Sequence, residues 1–217
     1  KGRYISIFYD FYMHGTACAS AVGGVDVKYG GLMMGVAPGV KIIGVKSLWY
    51  GNIEIGQLWA AGFDIDLNGL IYYTGMRRAD VISNSWGVSS FIYDIAGFGF
   101  DYASQLATAL TIPGFLDTNY PGIVVVQAAG NGGGGYGTVT APGAAPGVIT
   151  VGASTSFFPY VLSNRYADAG WDQIIGWAAR GPTPLGYLKP DVVNIGMAGY
   201  TAYPVGWGRG SGYTIFS

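Results

Sequence analysis

Short apolar runs, punctuated by glycine and proline, set the rhythm of this chain. Residues 4–9 (Tyr-Ile-Ser-Ile-Phe-Tyr) predict a short strand. From His14 to about Val22 the residues are mostly alanine and other small types, which predicts a tightly packed, buried helix. Between Met34 and Lys46 a β-rich run follows the Pro38-Gly39 turn, as a buried strand should. Residues 54–77, with Leu58, Trp59, Ile65, Leu67, Leu70 and Ile71, carry a broken helical pattern. Strand signals return at 79–84, 122–128 and 147–152, with a helix expected at about 101–110. Strands that alternate with helices in this way predict an α/β fold: a doubly wound, mostly parallel sheet with helices on both faces. Residues 156–176 mix aromatic and polar positions without a period and read as a surface insertion, so residues 1–217 form one domain.

Composition narrows the function. Charged residues are only 11% of the chain against a usual share of about 25%, and the net charge is −1. Such a surface offers no electrostatic footprint for nucleic acid. No run approaches the roughly 18 apolar residues of a membrane span. Low charge together with many Tyr, Ser, Thr and Gly residues leans towards an exported protein, extracellular or at the cell surface. The single cysteine excludes an internal disulfide.

The segment Gly130-Asn-Gly-Gly-Gly-Gly135 follows a strong strand and satisfies the first half of a dinucleotide-binding fingerprint. The second half needs a helix opening at the glycines and an acidic residue about twenty positions on. Pro142 and Pro146 bar that helix, and the next acid is Asp168. An alternative is that the strand ending in Ala128-Ala-Gly-Asn131 delivers a side-chain amide to the sheet's carboxyl edge, as an oxyanion donor would be presented. A turn asparagine tolerating left-handed geometry is the plainer reading of the same residue.

Seven blocks in order resemble the subtilisin-like serine proteases. They are His14-Gly-Thr16, Gly35-Val-Ala-Pro-Gly39, Asp80-Val-Ile-Ser-Asn-Ser-Trp-Gly87, Ala128-Ala-Gly-Asn131, Ala141-Pro-Gly with Gly147-Val-Ile-Thr-Val-Gly-Ala153, Arg180-Gly-Pro-Thr183, and Lys189-Pro-Asp-Val-Val193. The resemblance implies a subtilisin-like fold and a serine endopeptidase working through an Asp-His-Ser triad. It makes His14 the catalytic histidine and Asn131 the oxyanion donor. Ser85, Trp86 and Gly87 become the edge that pairs with an extended protein or peptide substrate. Ala128, Ala129 and Gly130 become the facing wall of the pocket, with Thr140 near its base.

The resemblance also sets expectations about what is missing. Asp10 lies too close to His14 to be the triad aspartate, and Tyr213-Thr-Ile-Phe-Ser217 resembles the residues just before the family's nucleophile block. The fold is therefore expected to be incomplete at both ends, the span alone inactive, and other segments of the same polypeptide are expected to complete it. Cys18 lies one helical turn after His14. A small thiol in an alanine-rich helix reads as core, although a Cys–His pair is chemically conceivable. The chemistry requires no cofactor. The family allows structural calcium, but Asp26 in the loop from Gly23 to Gly30 is a single carboxylate and reads as a turn residue, so no metal ligand is assigned. Asp64 and Asp66 read as a solvated pair. The alternative function is a catalytically silent relative that binds peptides or builds an extracellular structure.

Overall fold

The computed structural model describes residues 10–25, 34–48, 51–88, 101–155, 173–196, 199–202, 204 and 213–216. The strand predicted at 4–9, Asp26 and all but the last residues of the 156–176 insertion lie outside these. Two compact units divide the chain. One comprises Ser47–Thr155 with Asp168–Gly196, and the other Lys1–Lys46 with Ser156–Ala167 and Met197–Ser217.

The first unit is built on four strands in the order β3 (Val81–Asn84), β4 (Val124–Ala128), β5 (Ile149–Ser154) and β6 (Val192–Ile195), all parallel. Val81 pairs with Val124, Val126 with Ile149 and Val151 with Val192. Parallel neighbours need crossovers, and two helices lie in this unit: α2 (Ile53–Ala61) and α3 (Tyr102–Thr111). Asp101 caps α3, its carboxylate accepting from Ser104 N–H at 2.9 Å. Leu106, Ala107 and Leu110 fall on one face of α3 and pack with Leu58 and Ala61 of α2 on Ile82 and Val125 of the sheet. Burial of each leucine contributes about 2 kcal/mol. Phe63, Tyr73 and Tyr120 close this core with ring centroids 5.0–5.4 Å apart. The Tyr120 hydroxyl donates to Leu110 O at 2.8 Å, and burial pushes its pKa far up.

Residues 54–77 are not one broken helix. The helix stops at Ala61, where Gly62 takes a φ of 102° and donates to the carbonyls of Leu58 and Trp59. Beyond it Phe63–Ile65 (β1) and Ile71–Tyr73 (β2) pair antiparallel as a separate hairpin. Asp66 makes its turn, accepting from Asn68 and Leu70 N–H at 2.8 Å each, with Gly69 at φ 82°. Asp64 is not simply solvated: it bonds Arg78 at 2.8 Å, and that guanidinium lies 5.0 Å over the Trp59 ring.

The second unit contains α1 (His14–Gly23) and an antiparallel pair, β7 (Gly199–Ala202) with β8 (Tyr213–Phe216). Only Ala17 of α1 is fully buried, so the predicted helix exists but is not the deeply buried one expected. Its last carbonyls are satisfied by the following chain: Val36 N–H donates to Ala21 O and Ala37 N–H to Val22 O. Gly35 is required there, since a Cβ would meet Ser20 O and the Gly23 and Gly24 nitrogens at 2.7 Å each. Ser20 Oγ accepts from Ala202 N–H at 2.9 Å and ties β7 to the helix. The buried strand expected at 40–46 is not seen. Among the described residues nothing forms a ladder with it, and Val40, Ile42, Ile43 and Val45 are exposed.

Candidate active site

Because β3 and β4 are parallel and adjacent, the loops after Asn84 and Ala128 leave the same edge of the sheet. Carboxyl edges of this kind are where open α/β sheets hold ligands. Ser85 and Gly87 are exposed on the first loop, with Trp86 half-buried between them. On the second, Gly130 takes a φ of 98° and turns the chain so that Asn131 reaches solvent. Among the described residues the Asn131 amide has no hydrogen-bond partner, so its donors remain available. Ala129 instead turns its side chain into a small core with Val139, Ala144 and Ala179.

Thr140 joins the two loops. Its N–H and its hydroxyl both donate to Ala129 O, at 2.9 and 3.2 Å, and it is 5% exposed. Next to it, Val88 N–H donates to Ala141 O at 2.9 Å. A Cβ placed on Gly87 would lie 2.5 Å from the Thr140 hydroxyl, and one on Gly130 would lie 2.7 Å from its methyl. Both glycines therefore face the same threonine side chain. All seven residues predicted to bind substrate, and Asn131, are brought together in this unit.

Sequence reasoning missed Gln127. Fully buried on β4, it donates its amide to Trp86 O and so holds the neighbouring loop in place. Its carbonyl oxygen is buried without a partner among the described residues. The signal was a polar residue inside Val124-Val-Val-Gln127, an interruption in an otherwise apolar strand.

His14 opens α1 in the other unit. Met13 before it sits at φ 63°, a strained conformation for a non-glycine residue. The exposed helix start is capped from upstream, with Asp10 accepting from Thr16 N–H and hydroxyl at 2.8 Å and from Tyr12 N–H at 3.0 Å. Partial burial works to raise the Asp10 carboxyl, but these hydrogen bonds outweigh it and hold the group below the usual carboxylate range. The Cys18 sulfur lies 3.8 Å from His14 Nδ1 and 3.9 Å from Nε2. That contact raises the His14 pKa. Burial opposes it, while the charges of Cys18 and Asp10 add to it. Among the described residues no three His, Cys, Asp or Glu side chains assemble as a metal cage. No helix there is long and apolar enough to cross a membrane.

A parallel sheet with helices packed against it defines the α/β class of folds. The sequence places the chain within it: the profile of the Subtilase family (Peptidase S8) matches residues 4–214, and the chain belongs to that family. It is 30% identical over 195 residues to serine protease AprX of Bacillus subtilis, covering 87% of this chain and 39% of that protein. To pyrolysin of Pyrococcus furiosus it is 27% identical over 249 aligned positions, covering 94% of this chain and 16% of that protein. The solved structure of the prenylagaramide maturation protease PagA shares the fold, with a TM-score of 0.53 at 19% identity over 94% of this chain and 57% of that one. The chain thus spans less than half the length of the two curated relatives.

Proposed function

We propose that the protein is a serine endopeptidase, and that residues 1–217 belong to a single catalytic domain in which 156–176 is an insertion. Membership of the subtilase family across residues 4–214 carries this reading. His14 is the general base, taking the proton of a serine hydroxyl as that oxygen attacks the scissile carbonyl, then giving it to the departing amine. Asn131 donates its amide to the oxyanion formed in that attack. Its exposure at the end of a glycine turn, with no competing partner among the described residues, supports the role. The edge at Ser85, Trp86 and Gly87 pairs with the backbone of an extended substrate, opposite Ala128, Ala129 and Gly130. The serine and the triad aspartate come from the remainder of the protein, and with neither present the 217-residue span alone hydrolyses nothing. The low charge and the Tyr-, Ser-, Thr- and Gly-rich composition support an extracellular place of action.

The test is hydrolysis of a denatured protein substrate by the full-length protein and two variants. His14→Ala should abolish turnover. Asn131→Leu should lower kcat by about 10²–10³, the range measured for the oxyanion asparagine of subtilisin itself. Full activity in His14→Ala would sink the assignment. A full-length protein that binds extended peptides without cleaving them would instead be the silent relative.

A further inference from the structure

We propose that the β1–β2 hairpin is an interfacial anchor, its apolar tip seating in the surface of a zwitterionic lipid bilayer. The inference stands apart from the proteolytic reading above. One face of this ribbon begins in the core and runs out of it. Phe63 pairs with Tyr73 and both rings pack on Tyr120, whereas the next pair on the same face, Ile65 with Ile71, is half exposed. Beyond them Leu67 is fully exposed and Leu70 is 66% exposed. The base of the hairpin is held without these side chains. Thr74 N–H and hydroxyl both donate to Gly62 O, at 2.9 and 2.7 Å, and the Arg78 guanidinium donates to Trp59 O and Phe63 O at 2.8 and 3.1 Å. A shape fixed from below thus carries leucines and isoleucines that the described residues leave in water, and such a cluster marks a binding surface.

Form and charge select a bilayer over a protein. A hairpin tip is convex and narrow, and this one offers on the order of 500 Å² of apolar surface, short of the roughly 800 Å² per partner that a stable protein interface takes. Its backbone asks little of water. The N–H groups of Asp66, Asn68, Gly69 and Leu70 all find acceptors within the turn, which is the condition for entering a medium without hydrogen-bonding partners. Both acids are occupied as well: Asp64 pairs with Arg78 at 2.8 Å, and one Asp66 oxygen accepts from two N–H groups of the turn. No concentration of charge is left to match a strongly charged partner. From Phe63 to the turn the strands rise about 10 Å, close to the roughly 5–10 Å at which interfacial segments sit. That depth is the boundary of headgroups and acyl chains, so Asp66 keeps its contact with water. The hairpin leads into β3 at Val81 and therefore lies at the amino edge of the sheet, opposite the edge that carries Asn131. An anchored molecule presents the candidate cleft to solution.

The experiment is co-flotation of the full-length protein with phosphatidylcholine vesicles on a density gradient, with light scattering in parallel for the oligomeric state. Wild type should float with the vesicles, and about 0.5 M NaCl should leave the bound fraction unchanged, because salt screens only charge. Leu67→Ser combined with Leu70→Ser should lower the bound fraction about tenfold or more, with the thermal melt unmoved. Leu67→Phe combined with Leu70→Phe should stay within about threefold of wild type, since a bilayer accepts any apolar shape and a fitted protein pocket does not. If the double serine variant melts early, Leu67→Ser alone replaces it and should cost about threefold. Wild type that remains at the bottom of the gradient overturns the inference, as does flotation undiminished in the serine variants or lost in the phenylalanine variant. A wild-type dimer that the serine variant breaks into monomers assigns the tip to a second copy of the chain, and that too overturns it.

Discussion

His14 is the sole histidine of the chain, so its imidazole signals can be followed by NMR without assignment. Its pKa is raised above the ordinary value of about 6.5 by the Cys18 contact, against the effect of burial. A raised value means that the folded state holds its proton more tightly than the unfolded chain. The resulting stability is fully present below the unfolded pKa and is lost as pH rises through the folded one. Cys18→Ala should bring the His14 pKa down, visible as an earlier midpoint in an NMR titration. In the active full-length protein the acid limb of the kcat/KM profile should move to lower pH with it, because the general base must be neutral. An unmoved midpoint would mean that the thiol does not influence the ring. Asp10 runs in the opposite sense. Its depressed pKa contributes stability above the unfolded value of about 3.9, lost as pH falls through the folded one. Asp10→Ala should destabilise α1 by about 1 kcal/mol in chemical denaturation, with Asp10→Asn recovering most of it as a cap. The His14-Gly-Thr16 block was legible as a helix start. The upstream cap was not, because Asp10 reaches Thr16 across a left-handed Met13 that no propensity anticipates.

At the level of elements, the three strands with the plainest apolar runs were read correctly, and each proved to be a central or adjoining strand of the parallel sheet. β6 was quoted within Lys189-Pro-Asp-Val-Val193 yet not read as a strand, since its entry is hidden behind a proline and two charges. Those charges are structural. Lys189, almost wholly buried, donates to Val148 O and to Asp191 at 2.7 Å each, and Asp191 accepts Thr150 N–H at 2.6 Å. The cluster pins β6 to the start of β5. Lys189→Met should cost about 2 kcal/mol in urea denaturation, less than the loss of a fully buried pair because Asp191 remains partly in water. The hairpin β1–β2 was lost to a helical reading because Ile65, Leu67, Leu70 and Ile71 mimic a helical period, while Asn68-Gly69 was the overlooked turn. Gln127 bridges elements directly, from β4 to the loop after β3. Gln127→Leu removes this tie together with a buried unpaired oxygen, so thermal stability should change little. KM for extended peptides should rise severalfold as the loop at residues 85–87 loosens. A large fall in melting temperature with KM unchanged would assign Gln127 to the core alone.

For the whole chain, the unequal faces of the sheet matter most. Ile82 and Val125 lie under α2 and α3, whereas Val81, Val124, Ile149 and Val192 are 52%, 46%, 44% and 51% exposed. Exposed apolar area of this kind promotes association. The isolated 217-residue chain should bind a hydrophobic dye strongly and aggregate on heating, and a cooperative, reversible melt would count against that expectation. The family was legible from its motifs because seven blocks of them follow one another in order along most of the chain. Valine-rich strands of a parallel sheet announce burial on both sides, and these four exposures depart from it. The two glycines that share one threonine have a further consequence, in the routes open to divergence. No side chain can be added at position 87 or 130 while a threonine stands at 140, so the walls are closed to single-step change. A smaller residue at 140 would relieve position 87 first, whereas Gly130 stays held to glycine by its φ of 98° whatever stands opposite it.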